Sequence, residues 1–261
     1  MLSAIEKIYK TRYFWFYLAK SDIRFKYRRS KLGYLWAVIQ PLGITVIMAI
    51  VFSIAFKQPL GDYAVYILSG LIGWNLLMAS VVSGGQSLIS AAQYIRQYNH
   101  PKIIYSLKTA IVYLYNFLME LIGLVIWIAL TDAKNLVISA LTFPVTIILL
   151  FAVVWELVTI VSYINAKYYD YPQLMTLVMQ AVYYVSPVFF KEELFEANNL
   201  IYMIYQYNPV TQILNLIREP FLYGRIPDVF TYAYVIVMII VLFGIAYFVN
   251  KKNSGTIIFY L

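Results

Sequence analysis

The residues best placed to do chemistry are cations crowded just before a long apolar stretch. Five lie within eight positions: Arg24, Lys26, Arg28, Arg29 and Lys31. From residue 32 to residue 56 the chain carries no charge. Several fixed cations at the depth of lipid headgroups suit a doubly anionic group. Lysine and arginine beside a membrane span are equally the ordinary signal for its orientation, so both interpretations stay open.

Other reactive side chains are sparse. Glu120 and Glu156 fall inside apolar segments, where an ionisable group is a functional hypothesis by default. Protonation, or a hydrogen bond to a neighbouring helix, is the alternative for each. His100 is the only histidine and there is no cysteine, so no metal cluster or catalytic triad is predicted. The chain also lacks the glycine-rich phosphate loop that ends in Gly-Lys-Ser or Gly-Lys-Thr. We predict a protein without enzymatic activity, bound cofactor or nucleic-acid partner.

Composition indicates the elements that position these residues. Of 261 residues, 62% are hydrophobic and 12% are charged, and the mean hydropathy is +0.74, which is typical of an integral membrane protein. We predict an all-α polytopic protein that begins with an amphipathic interface helix over residues 3–18. Six apolar segments are long enough to be membrane helices: 32–56, 63–90, 103–130, 136–164, 172–190 and 229–249.

Charge sets the predicted topology. Most of the 20 lysines and arginines lie on segments that a cytoplasmic N-terminus would place inside. Lys251 and Lys252 stay inside only if residues 191–228 dip into the membrane and return, so a re-entrant helical pair is predicted there, before the last span. Both termini are then cytoplasmic. The chain reads as one domain, 1–261, with an interface region (1–31), a six-helix bundle (32–250) and a tail (251–261).

Short motifs along nearly the whole chain resemble one transporter family. They are DIRFKYRRSKLGYLW (22–36), QPL (40–42), GLIGWN (70–75), AKYYDYPQ (166–173), SPV (186–188), NP (208–209) and REPFLYG (218–224). In this order they are similar to the permease subunits of ABC-2 type exporters for lipid-linked polysaccharides such as O-antigen, capsule and teichoic acid, O-antigen exporters in particular. The chain departs from the family's lysine and Phe-Pro pattern at residues 96–101.

The resemblance implies a homodimer in the bacterial inner membrane, with two separate ATPase subunits that hold ATP and Mg²⁺. The ATPase would dock on the N-terminal helix and the loop after the second span, at Ile5, Ile8, Tyr9, Arg96, Tyr98, His100 and Lys102. Spans one, two and five would line the substrate pathway, for which we select Tyr34, Trp36, Phe52, Phe56, Trp74, Tyr183, Tyr184, Phe189 and Phe190. The re-entrant pair would act as a gate. The pyrophosphate of an undecaprenyl-linked substrate would be bound by five cations: Arg24, Lys26, Arg28, Arg29 and Lys31.

Two other functions are compatible with the sequence. An ABC-2 exporter of a small lipophilic compound shares the fold, and an aromatic lining serves it equally well. A membrane enzyme acting on polyprenyl-linked sugars needs a wet acidic cluster, for which the best residues are Glu192, Glu193 and Glu196.

Overall fold

The computed structural model describes residues 2–28, 30–56, 60–131, 133–190 and 199–261, and within these ranges it leaves out the side chains of 2–5, 55, 56, 60, 62, 133 and 199–201. The described chain is helical, without a strand. Its helices are α1 (Leu2–Lys10), α2 (Arg12–Tyr27), α3 (Trp36–Phe56), α4 (Leu60–Val81), α5 (Gln86–Ser90), α6 (Ala92–Gln97), α7 (Ile103–Thr131), α8 (Leu136–Lys167), α9 (Tyr171–Val185), α10 (Asn199–Gln206), α11 (Pro209–Tyr223) and α12 (Val229–Asn253).

Five helical stretches are long and apolar enough to cross a membrane. They are Gly33–Ile54, Tyr63–Ser90, Ile103–Thr131, Leu136–Lys167 and Val229–Asn253. These five coincide with the first, second, third, fourth and last predicted spans, and they confirm a multi-pass helical membrane protein. The fifth predicted span is shorter in the structure, because α9 ends at Val185, two residues before Pro187, whose ring cannot continue a helix.

The N-terminal region differs from the single helix predicted over residues 3–18. Thr11 separates α1 from α2, and its hydroxyl donates to the carbonyls of Lys7 (3.0 Å) and Ile8 (3.1 Å). Beyond this break α2 continues to Tyr27, because its second half packs along α7. Asp22 forms an ion pair with Lys108, and the Tyr27 hydroxyl donates to Asn116 Oδ1 over 3.0 Å.

Small residues near the end of the second span pack closely against other helices. A Cβ atom added at Gly84 would lie 3.0 Å from Val158, and one at Gly85 would lie 2.9 Å from Asn165, both on α8. At Gly73 the added atom would lie 2.5 Å from Leu214 on α11. Small residues therefore let α4 and its extension approach their neighbours, which is their usual role in membrane helices.

One end of the bundle gathers both chain termini. Ile257, after α12, is buried in a cluster that includes Leu18 of α2, Leu88 of α5, Ile104 of α7 and Ala166 of α8. We call this the basic end, because α1, the segment before α7 and the end of α12 all carry lysines there. The opposite end is called the far end.

From the basic end α9 runs antiparallel to α4. The Tyr171 hydroxyl donates to the carbonyl of Val81 (3.0 Å), at the last residue of α4. Eighteen residues later the chain has reached the first turns of α4, where the Tyr63 hydroxyl donates to the carbonyl of Phe189 (2.7 Å). The non-helical segment 186–190 therefore completes the path that α9 begins.

Candidate functional site

Most of the aromatic residues predicted for the pathway form one contiguous group. Phe52 of α3 lies 5.7 Å from Phe189 and 6.2 Å from Phe190, measured between ring centroids. Tyr183 lies 4.9 Å from Trp74, 5.6 Å from Tyr184 and 5.2 Å from Phe189. The structure thus brings together residues from α3, α4, α9 and segment 186–190, and we call this group the aromatic cluster: Phe52, Trp74, Tyr183, Tyr184, Phe189 and Phe190.

Of the three other residues predicted for the pathway, two lie away from the aromatic cluster and one has a side chain that the structure does not describe. Tyr34, just before α3, contacts Tyr27 (4.7 Å) and Tyr115 (6.2 Å), at the other end of α3 from Phe52. Trp36 is exposed at the start of α3. The side chain of Phe56 is not among the described ones. Tyr34 and Trp36 are therefore separate from the aromatic cluster along the length of α3.

A polar group lies where α2 meets α4 and α7. Asn75 donates to Glu120 Oε2 over 3.0 Å. Partial burial of the Lys26 ammonium lowers its pKa, and the charge of Glu120 opposes that shift. Tyr27 and Asn116 complete what we call the polar seam: Lys26, Tyr27, Asn75, Asn116 and Glu120. Glu120 thus has a hydrogen-bonding partner on α4 and a cation near it on α2. Sequence reasoning missed Asn75 and Asn116, although an amide inside an apolar span is a signal for such a contact.

The other described cations predicted to bind the pyrophosphate lie at the end of α2 and between α2 and α3. Arg24, Arg28 and Lys31 are exposed. Arg29 lies outside the described residues. Arg24, Arg28 and Lys31 make no ion pair with any described residue.

The residues predicted to dock an ATPase come together at the basic end. His100 stacks on Tyr98 with ring centroids 5.7 Å apart, and Phe14 of α2 lies 4.9 Å from His100. Tyr9 and Arg96 are exposed beside them, and Ile8 and Lys102 are half-buried. The side chain of Ile5 is not described. Phe14, which joins α2 to the segment before α7, was not predicted, because its partner rings are distant in sequence.

A buried arginine at the far end was also missed. Arg218 of α11 is 2% exposed, and its guanidinium carbon lies 3.7 Å from the centroid of the Tyr66 ring. It donates to the carbonyls of Tyr66 (3.1 Å), Val188 (2.9 Å) and Pro187. We call this arrangement the arginine clamp. It satisfies the carbonyls that segment 186–190 leaves free by not being helical, and it ties that segment to α4 and α11.

Two further contacts hold the same segment. Asn208 caps α11 by accepting from the backbone N–H of Val210 (2.9 Å), and it donates to Ser186 Oγ (2.9 Å). The Tyr66 hydroxyl donates to the carbonyl of Phe190 (2.8 Å). The backbone beneath Phe189 and Phe190 is therefore fixed by side chains of α4 and α11.

The three glutamates considered for an enzyme, Glu192, Glu193 and Glu196, are not among the residues that the structure describes. Across the ranges that the structure describes, no three histidine, cysteine, aspartate or glutamate residues are grouped so that they could hold a metal ion.

Comparison with known proteins identifies distant relatives of the chain. No family model matches the chain. Curated relatives do match it: the O-antigen export system permease protein RfbA of Klebsiella pneumoniae is 22% identical over 209 residues, 80% of each chain. RfbA of Myxococcus xanthus is 18% identical over 228 residues, 87% of each chain. The polysialic acid transport protein KpsM of Escherichia coli is 22% identical over 222 residues, 79% of this chain and 80% of the relative. The resemblance carried by the sequence motifs is thereby confirmed, and the chain is a distant homologue of the ABC-2 type permeases of polysaccharide export.

Proposed function

We propose that this chain is the membrane-spanning permease subunit of an ABC exporter that moves an undecaprenyl-linked, O-antigen-like polysaccharide from the cytoplasm to the periplasm. The observation that carries the proposal is the similarity to O-antigen and polysialic acid export proteins over about four fifths of the chain or more. The aromatic cluster supports it, because flat apolar rings with polar tips suit a sugar polymer sliding past.

A homodimer would place two aromatic clusters around one pathway. The first and last spans are the least buried of the five, with 17% of each apolar window inside the single chain. Phe52 of the aromatic cluster lies on the first of these spans, beside α4 and segment 186–190. A second copy packed against α3 would therefore enclose a passage lined by α3, α4 and α9.

The topology we propose has six crossings and a re-entrant helical pair. Support comes from α9 and segment 186–190, which together follow α4 between the two ends of the bundle. Leu214 of α11 lies beside Gly73 in the middle of α4, whereas Arg218, one turn later, donates to the carbonyl of Tyr66 nearer the far end. Asn135, in the turn between α7 and α8, donates to the carbonyls of Phe221 and Leu222 near the end of α11. Residues 209–223 thus return to the far end, and both termini lie at the basic end, in the cytoplasm.

ATP hydrolysis would occur on a partner chain. The exposed surface formed by α1, the first part of α2 and residues 96–102 is the proposed docking surface for one ATPase subunit. Two ATPase subunits, each with ATP and Mg²⁺, would then serve a permease dimer. Movement of this surface would reach the polar seam through α2, which packs along α7 by the Asp22–Lys108 ion pair.

The basic segment next to the polar seam is the proposed site for the lipid pyrophosphate. Arg24, Arg28 and Lys31 are exposed at the start of the first span, where the headgroup of a membrane lipid lies. Lys26 and Arg29 belong to the same proposal. The adjoining polar seam offers amide and hydroxyl groups to the first sugars of the substrate.

Loss of the chain in its native host tests the proposal. We expect deletion to leave polysaccharide accumulated in the cytoplasm and absent from the cell surface, with surface polymer restored by the wild-type chain. A deletion strain with normal surface polymer but raised sensitivity to a lipophilic compound would contradict the proposal and favour the small-molecule exporter. Normal polymer transport with altered sugar structure would favour the enzyme.

A further inference from the structure

A cavity lies away from the aromatic cluster, between α8 and α12. Its volume is about 890 Å³. Ala152, Trp155 and Thr159 line it from α8, and Phe243, Ala246 and Tyr247 line it from α12. Both sets recur at intervals of three and four residues, so each helix contributes one continuous face. The cavity is therefore a groove that follows the two helices, and we call it the α8–α12 groove.

The groove extends from the basic end into the apolar part of the bundle. Ser106, one turn into α7, contacts Thr159 with 2.8 Å between their hydroxyl oxygens, which sets the level of Thr159 near the start of α7. Ala152 lies seven residues before Thr159 in α8, about 10 Å farther from the basic end at 1.5 Å per residue. Phe243 and Tyr247 are 48% exposed on the outer face of α12. An occupant of this groove must therefore be apolar over much of its length.

The mouth of the groove is cationic. Lys7 of α1 and Lys102, just before α7, both line it, together with His100. Lys10 also lines it but is held by Glu6 over 2.7 Å. Lys7 and Lys102 make no ion pair with any described residue, and burial without a nearby carboxylate lowers the pKa of Lys102. Two lysines at the mouth are thus available to an anionic group.

Two polar atoms of residues that line the groove, Trp155 Nε1 and Glu156 Oε2, have no hydrogen-bond partner among the described residues. Glu156 is 7% exposed and lines the groove, and its Oε2 has no hydrogen bond to any described residue. A buried polar atom without a partner is costly, and in native proteins it is normally satisfied by a bound group. Glu156 lies about one helical turn deeper than Thr159, between the lysines and the apolar end of the groove.

We propose that the α8–α12 groove binds one anionic glycerophospholipid. Its phosphate lies at Lys7 and Lys102, an ester carbonyl accepts a hydrogen bond from the protonated carboxyl group of Glu156, and one acyl chain follows the faces of α8 and α12. Basic pockets between membrane helices at the cytoplasmic side are general binding sites for anionic headgroups. A segment of a docked ATPase fits less well, because the groove continues beyond the basic end among apolar side chains. The site does not depend on the polysaccharide function.

Lipid titration of the purified full-length chain tests the site. The chain in mild detergent is titrated with phosphatidylglycerol or phosphatidylcholine, and the bound lipid is counted by native mass spectrometry. We expect phosphatidylglycerol to bind at least ten times more tightly than phosphatidylcholine. K7Q/K102Q should weaken phosphatidylglycerol binding about 25-fold, about fivefold per lysine. The matched control K251Q/K252Q removes two cations from the same end that do not line the groove, and it should change binding less than twofold.

A second measurement places the acyl chain. Dibrominated phosphatidylglycerol quenches tryptophan fluorescence on contact, and W155F should remove most of the quenched signal while W127F should not. Equal binding of the two lipids, or equal weakening in both lysine pairs, would overturn the proposal. Competition by soluble glycerol 3-phosphate at the lipid's own concentration would identify a free anion as the occupant and also overturn it. Unchanged quenching in W155F would place the lipid outside the groove and leave the groove to a protein segment, which would also overturn the proposal.

Discussion

Replacing Arg218 with methionine should strongly destabilise the bundle at its far end. Methionine fills much of the space but donates no hydrogen bond, so the carbonyls of Tyr66, Pro187 and Val188 each lose one hydrogen bond from a charged donor. A hydrogen bond from a charged donor contributes about 1.5–3 kcal/mol, and three would sum to about 5–9 kcal/mol. Removing the desolvated guanidinium offsets part of this loss, so we expect a net cost of about 3–5 kcal/mol.

This cost can be measured as a melting temperature in detergent. At about 2–4 °C per kcal/mol for a chain of this size, R218M should melt about 10 °C below the wild type. R218K keeps the charge but lacks the planar fork and should fall between the two. R96M is the matched control, because Arg96 is exposed at the basic end, and it should melt within about 1 °C of the wild type. An R218M variant that melts with the wild type would refute the arginine clamp as the tie between α4, α11 and segment 186–190.

Three further predictions concern packing, the pathway and the basic segment. A Cβ at Gly70 would contact the arginine clamp, so G70A should lower the melting temperature by several degrees, because overpacking costs about 1–3 kcal/mol. At Gly43 an added Cβ meets no atom within 4 Å, so the control G43A should leave the melting temperature unchanged. Y183A should slow export about fivefold at a normal membrane level, because a ring contact contributes about 1 kcal/mol, whereas F259A at the exposed tail should not. R28E should reduce export with normal insertion if the basic segment binds pyrophosphate, and unchanged export would remove that assignment.

Local sequence signals predicted most of the helices. Apolar length and charge located the five described spans. Local sequence did not predict the ends of helices that depend on packing against other helices. The extent of α2 depends on its packing along α7, and the end of α9 depends on how the carbonyls after it are satisfied.

The candidate site was predicted only in part for a similar reason. Six of the aromatic residues selected for the pathway lie together in the structure, since their segments lie side by side once the spans are ordered. The arginine clamp could not be predicted, because Arg218 and its acceptor Tyr66 are 152 residues apart and no local pattern pairs them. The polar seam likewise joins α2, α4 and α7. Its Glu120 and Lys26 stand out in the sequence, but no local pattern pairs Glu120 with Asn75, 45 residues away.

The central claim is that this chain works as a permease with a separate ATPase. Its most direct test is purification of the tagged full-length chain from its native host in mild detergent, followed by identification and counting of the bound proteins. We expect one ATPase subunit with a glycine-rich phosphate loop for each permease chain. Recovery of the permease without any such ATPase, under conditions in which a control ABC transporter keeps its own, would contradict it.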